Sequence, residues 1–144
     1  MSDLDRFLGL LQELRDALHV LDRYRRSIDR DRLVAEIDLQ NMVLFALYRA
    51  VQGCIDLGQH LIAERGLTVP TAYRQVFRVL AEAALIDPDL GQRLERWGGF
   101  RNVIAHQYGT LDVERVATAL YDNLGDLDLF ATEMGRIGAV ESGS

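Results

Sequence analysis

The sequence of 144 residues contains no lysine and only one cysteine. The missing lysine and the scarcity of cysteine both restrict the chemistry that the protein can support. All 16 basic residues are arginines, so a lysine nucleophile and a lysine Schiff base are excluded. Cys54 has no partner for an internal disulfide, which fits a reducing cytoplasm. Because Cys54 lies in an apolar helical pattern, we interpret it as a core residue.

The chain also lacks a run of 18 or more apolar residues, and no charged segment followed by an apolar one begins at Met1. We therefore expect neither a membrane span nor a secretory signal, and a cytoplasmic location. Apolar residues make up 49% of the chain, enough for the core of one domain. The net charge of -6 argues against broad adhesion to nucleic acid but allows a local cationic site.

Apolar residues recur at helical spacing along the chain, and no segment shows the alternation typical of a strand. We therefore predict an all-α bundle of about five helices. The first covers Asp3 to Ser27, the second runs from Asp29 or Asp31 to Arg65, the third opens at Pro70 or Thr71, the fourth at Asp87-Pro88-Asp89, and the last at Thr110-Leu111-Asp112. The predicted bundle occupies residues 1–136, and residues 137–144 have little to pack against and are expected to fray.

Five arginines gather around the first predicted turn: Arg23, Arg25, Arg26, Arg30 and Arg32. Three aspartates lie among them, so a solvated helix junction is one interpretation. Contact with an RNA backbone is the alternative.

The segment Gly98 to Gly109 differs from ordinary surface because it concentrates polar side chains of distinct chemistry. On an ideal helix, Phe100, Val103 and Ile104 fall on one side. Arg101 and Tyr108 fall within about 20° of each other on the opposite side. Asn102 and His106 are four residues apart and lie beside them, so the segment has one apolar face and one cationic, titratable face. Gly109 is suited to end the helix.

The run from Trp97 to Tyr108 resembles the HEPN domain and, within it, the HepT-like toxins. Their motif is an arginine, four residues, a histidine, one residue and a tyrosine, which here are Arg101, His106 and Tyr108. Residues 50–62 and 72–80 also resemble that family, and the resemblance extends from about Leu4 to Met134.

The resemblance implies a metal-independent endoribonuclease with Arg101 and His106 as catalytic residues and Asn102, Tyr108 and Asp56 in support. A histidine that titrates near neutral pH can deprotonate the 2′-hydroxyl of RNA. An arginine can stabilise charge on the phosphate that this hydroxyl attacks. Neither a cofactor nor a metal is expected.

The family also implies partners. HEPN ribonucleases pair their motifs across a two-fold interface, so we expect a homodimer. In HepT-like systems, an MntA-like nucleotidyltransferase antitoxin attaches AMP to the motif tyrosine, which corresponds to Tyr108. The added phosphate would lie beside Arg101 and block the cleft.

Other interpretations stay open. The chain could be a non-catalytic HEPN-like subunit that binds nucleotide or docks a partner, or a helical dimerisation domain in which the motif residues bridge helices. The polar row that contains Asp56 could be solvated surface, although the family pattern Ile55-Asp56-Leu57 predicts that Asp56 approaches Arg101. His60 lies four residues after Asp56, but no further metal ligand is apparent nearby.

Overall fold

A computed structural model describes residues 2–105 and 112–143; for residues 101–105 the description covers the helical backbone but not the side chains. Seven helices make up this described part, and it contains no strand, so the prediction of an all-α fold is confirmed. The helices are α1 (Asp3–Ser27), α2 (Arg30–Ala35), α3 (Ile37–Glu64), α4 (Tyr73–Glu82), α5 (Pro88–Ala105), α6 (Val113–Tyr121) and α7 (Gly125–Gly143).

The first helix begins with a reciprocal cap. The Ser2 hydroxyl accepts a hydrogen bond from the Asp5 backbone N–H at 3.0 Å, and the Asp5 carboxylate accepts one from the Ser2 backbone N–H. This pairing satisfies two donors that a helix N-terminus otherwise leaves free. The apolar stripe of α1 is buried against α3 and α7, with Phe7 and Leu21 fully inaccessible to solvent. The prediction for this helix is confirmed at both ends.

The second predicted helix is wrong as a single element, because the chain leaves the helical conformation at Glu36 (φ -113°, ψ 112°). The break frees two backbone carbonyls, at Leu33 and Val34. The buried Gln40 amide donates to both of them, at 3.0 Å each. A side chain on α3 thus replaces the helical hydrogen bonds that the break removes, and α2 packs across the end of α3 and against α6.

The last predicted helix is also divided, into α6 and α7, at a turn through Asp122 and Asn123. The backbone N–H groups of both residues donate to the Thr118 carbonyl, which ends α6. Leu124 is buried in the turn, so the core continues from α6 into α7.

The helix α7 continues through Gly143, past residue 136 where the predicted bundle ends, and the fraying of residues 137–144 stays a prediction. Gly138 is buried against the side chains of Phe7 and Leu8. Arg65 donates to the Glu141 carboxylate at 3.1 Å, which ties the helix end to the end of α3. The buried Gly138 and the ion pair between Arg65 and Glu141 thus hold this end of α7 against the bundle. Neither belongs to the apolar pattern of the sequence.

Close helix contacts depend on the glycines of α3. A Cβ added at Gly58 would overlap Val76 Cγ1 of α4, and one added at Gly53 would lie 3.4 Å from Leu14 of α1. The glycine at position 58 thus allows α4 to approach α3 closely. The core continues to α7 through an edge-to-face contact of Phe77 and Phe130, with ring centroids 5.7 Å apart. None of the helices in the described residues has the length and hydropathy needed to cross a bilayer.

Candidate functional site

The motif arginine lies on α5, and the start of this helix is fixed by local chemistry. The Asp87 carboxylate accepts hydrogen bonds from the backbone N–H groups of Asp89 and Leu90, each at 3.1 Å. Pro88 occupies the first helical position, where no backbone donor is needed. The predicted opening of this helix at Asp87-Pro88-Asp89 is therefore confirmed.

The apolar face of α5 anchors the helix to the core. Leu94 is fully buried, and Trp97 and Phe100 are 5% and 7% exposed. The two aromatic rings meet edge to face with centroids 5.7 Å apart. This packing fixes the helix immediately before Arg101.

The structure confirms that Arg101 and Asn102 lie in a helix, because α5 runs through Ala105. Their side chains lie outside the described residues, and so do His106, Tyr108 and the predicted helix end at Gly109. The catalytic roles of Arg101 and His106, and the supporting roles of Asn102 and Tyr108, therefore stay predictions.

Two glycines directly before Arg101 allow a neighbouring helix to come close. A Cβ added at Gly98 would lie 2.8 Å from the Cα of Arg74, at the start of α4. A Cβ added at Gly99 would lie 2.7 Å from Nη2 of the same arginine. The guanidinium of Arg74 thus lies over Gly99, two residues from Arg101, and the Gly98-Gly99 pair allows this close approach of α4 to α5.

Asp56 lies on α3 in a groove that α3 forms with α1. Its carboxylate accepts a hydrogen bond from the Gln52 amide at 2.9 Å. Glu13, Ala17 and Arg49 line the same groove. The predicted approach of Asp56 to Arg101 concerns an arginine side chain outside the described residues, so the supporting role of Asp56 stays a prediction.

A cavity of about 280 Å³ lies between α5 and α6. Its lining comprises Arg93, Arg96, Trp97, Phe100, Arg115, Thr118, Ala119, Asn123 and Asp126. Arg93 donates to Asp126 at 2.8 Å, and the Trp97 indole N–H donates to the other oxygen of Asp126 at 3.3 Å. The Arg115 guanidinium lies over the Phe100 ring, 5.8 Å from its centroid.

The sequence offers Arg49, Arg74, Arg78 and Arg96 as candidate RNA contacts, and this prediction omits Arg93 and Arg115. The three-residue spacing of Arg93 and Arg96 does place both on one face of a helix. The contribution of Arg115 depends on how α6 packs, and nothing in the local sequence indicates that. Arg78 is less suited to bind RNA because Glu95 already pairs with it at 2.8 Å.

The arginines around the first turn are largely paired with neighbouring carboxylates. Arg25 and Arg26 pair with Asp22, and Arg32 pairs with Glu36 at 3.0 Å. The hydrogen bond from Arg25 holds the pKa of the Asp22 carboxyl below its usual value. Arg30 lies 3.4 Å from Asp122. These ion pairs favour the interpretation as a solvated helix junction over an RNA contact.

His60 lies beside the core rather than in a cluster of metal ligands. Its Nε2 is 3.4 Å from a Glu64 carboxylate oxygen, and its ring centroid is 6.0 Å from that of Phe7. In the ranges 2–105 and 112–143, no three histidine, cysteine, aspartate or glutamate side chains are arranged to hold a metal ion.

Comparison with known proteins gives the same fold and the same family. The chain is 29% identical over 102 residues to the mRNA nuclease HepT of Shewanella oneidensis, over 71% of this chain and 77% of that protein. Its fold matches a solved structure of a tri-AMPylated HEPN toxin of S. oneidensis in complex with an MNT antitoxin. That match has a TM-score of 0.82 and 24% identity, and it covers 94% of this chain and 99% of that one.

A cytosolic protein of unknown function from Bacillus subtilis has the same fold, with a TM-score of 0.79 at 15% identity over 99% of this chain and 93% of that one. The profile of the family described as "Ribonuclease HepT-like" matches residues 14–134. Because this match spans most of the 144 residues, the chain belongs to the ribonuclease HepT-like family, as its motif predicted.

Proposed function

We propose that this protein is the toxin of a toxin-antitoxin pair and acts as a metal-independent endoribonuclease through Arg101 and His106. The observation that carries the proposal is the family match over residues 14–134, which contains the complete Arg101-x4-His106-x-Tyr108 motif. The S. oneidensis relative acts on messenger RNA, so mRNA is the substrate class to examine first. A buried free thiol at Cys54 fits action in the cytoplasm.

The proposed reaction is a transesterification in which the RNA supplies its own nucleophile. His106 removes the proton from the 2′-hydroxyl, and the resulting oxygen attacks the adjacent phosphorus. The bond from phosphorus to the 5′-oxygen breaks, and that oxygen takes up a proton. Arg101 offsets the negative charge that develops on the phosphorane. The products are a 2′,3′-cyclic phosphate and a 5′-hydroxyl, and DNA is not cut.

We further propose that two copies of the chain form the active cleft. One histidine must otherwise serve both as the base and as the acid that protonates the leaving oxygen. A two-fold interface brings the same patch together twice, so a second His106 can take the complementary role. In this arrangement, a monomeric variant is inactive.

Regulation is proposed to act through Tyr108. An MntA-like nucleotidyltransferase would transfer AMP from ATP to its hydroxyl and release pyrophosphate, as the tri-AMPylated state of the S. oneidensis toxin suggests. The attached phosphate would compete with RNA for Arg101 and add bulk to the cleft. Asn102 and Asp56 are proposed to orient the reacting groups. Neither a metal nor a cofactor takes part in the scheme.

The test is cleavage of total cellular RNA and of a purified mRNA in excess EDTA. The native protein is expected to cut, and both Arg101→Ala and His106→Ala are expected to lose at least about a hundredfold in rate. Arg136→Ala serves as the control because its side chain is 70% exposed on α7 and pairs only with Glu133 among the described residues. Full RNA binding without any cleavage by the native dimer would instead favour a non-catalytic binding subunit.

A further inference from the structure

We propose that the cavity between α5 and α6 is a subsite that binds a backbone phosphate of single-stranded RNA through Arg96 and Arg115, beside the bond that is cut. This inference rests on the proposed ribonuclease function and adds a binding site that the motif does not contain. The cavity lies on the apolar side of α5, where Trp97 and Phe100 form its floor.

The first argument for a phosphate subsite is the charge of the side chains that line the cavity. Three guanidinium groups and one carboxylate face the cavity, so its lining is net positive on a chain whose net charge is -6. The carboxylate, Asp126, already accepts hydrogen bonds from Arg93 and Trp97. Within the part of the chain that the structure describes, no carboxylate lies within ion-pair distance of Arg96 or Arg115. Two guanidinium groups are thus available to an anion, and their like charges make the local potential of the cavity positive.

The shape of the lining indicates a phosphate rather than a base. Trp97 and Phe100 are almost fully buried, so neither offers an exposed ring face on which a base could stack. The Phe100 ring is covered by Arg115, and this contact holds the guanidinium in place before any ligand arrives. Thr118 and Asn123 add neutral side chains that can donate hydrogen bonds to phosphate oxygens.

The position of the cavity ties it to the cleavage site. Its walls are α5 and α6, and the segment that joins these helices, residues 106–112, contains His106 and Tyr108. Along α5, Phe100 precedes Ala105 by about 7.5 Å of helix rise. Arg101 directly follows Phe100 along α5, about 100° further round the helix, so an RNA strand bound at the motif can extend around α5 and place a neighbouring phosphate at the cavity.

The test measures binding separately from cleavage. In the full-length His106→Ala protein, the affinity for a fluorescent single-stranded oligoribonucleotide is measured by anisotropy over a range of salt concentrations. Arg96→Ala, Arg115→Gln and Arg136→Ala are each compared on this background. Arg136→Ala removes the same charge from α7, away from the cavity. Thermal melting checks Arg115→Gln, which loses the Phe100 contact, whereas Arg96 is exposed and its substitution leaves the packing intact.

We expect Arg96→Ala and Arg115→Gln each to weaken RNA binding by about five- to twentyfold and to lower the salt slope by about one. Arg136→Ala is expected to stay within about twofold of the parent. Equal affinities for all three variants would overturn the proposal. Binding of free AMP to the same variants is measured in parallel. The proposal would also be overturned if the two cavity variants lost affinity for free AMP but kept full affinity for the oligonucleotide. Failure of the native protein to cleave RNA would count against the catalytic proposal alone, because this binding measurement does not depend on cleavage.

Discussion

The contact between Gly98 of α5 and the Arg74 backbone of α4 leads to a sharp prediction for Gly98→Ala. The new Cβ would lie 2.8 Å from Arg74 Cα and 3.0 Å from its backbone nitrogen. Backbone atoms cannot rotate away, so α4 and α5 must separate to admit the methyl group. Since α5 carries Arg101, we also expect a lower rate of RNA cleavage.

The expected loss of stability is the difference between two effects. Overpacking of this kind costs about 1–3 kcal/mol. Alanine recovers about 1 kcal/mol because glycine is the poorer helix former. The net effect is a destabilisation of up to about 2 kcal/mol, or a fall in Tm of up to about 8 °C for a domain of this size.

Two matched variants isolate the steric effect. At Gly99 the new Cβ would meet the guanidinium of Arg74, the flexible end of an exposed side chain, so Gly99→Ala should be neutral or stabilising by up to about 1 kcal/mol. Gly9→Ala on α1 meets nothing within 4 Å and should stabilise by a similar amount. Urea denaturation of the three variants measures the differences. Should Gly98→Ala be as stable as Gly99→Ala, the close approach of α4 to α5 is refuted.

Three further predictions follow from single side chains. Tyr121→Phe removes the hydrogen bond from the phenol to the Ile28 carbonyl and should cost about 1 kcal/mol in chemical denaturation. Because burial raises the pKa of Tyr121 above its usual 10.0, the neutral phenol is the form that stabilises the fold. That contribution is present below pH 10 and is lost at higher pH, so equal stability of the two proteins at neutral pH would contradict the contact. The Cys54 thiol is fully buried and its pKa is raised by burial, so DTNB should label it only after unfolding; rapid labelling of the native protein would disprove that burial. Ala84 has a positive φ of 60°, so Ala84→Gly should raise the free energy of unfolding by about 1 kcal/mol, and a loss would show that this backbone is unstrained.

The sequence predicted the helical class and the starts of α1 and α5 because these depend on local signals. The Ser2 and Asp5 cap and the Asp87-Pro88 start act within a few residues of each other. The breaks at Glu36 and Asp122 were missed because neither position carries a proline. The helical period continues on both sides, and the break at Glu36 depends on tertiary contacts such as the bonds from Gln40.

The motif could be found from sequence, whereas its surroundings could not. Arg101, His106 and Tyr108 have a fixed spacing that needs no knowledge of packing. The approach of Arg74 to Gly98-Gly99 and of Arg115 to Phe100 joins residues that are distant along the chain. Only the packing of the helices places the guanidinium groups of Arg74 and Arg115 near α5, which carries Arg101.

The measurement that tests the central claim most directly is the chemistry of the fragment ends. RNA cut by the native protein in excess EDTA is analysed by mass spectrometry at both sides of each break. Metal-independent attack by the 2′-hydroxyl predicts a 2′,3′-cyclic phosphate upstream, a 5′-hydroxyl downstream and no breaks with His106→Ala. Fragments with 5′-phosphate ends, or cleavage that stops when EDTA is added, would contradict the proposed reaction.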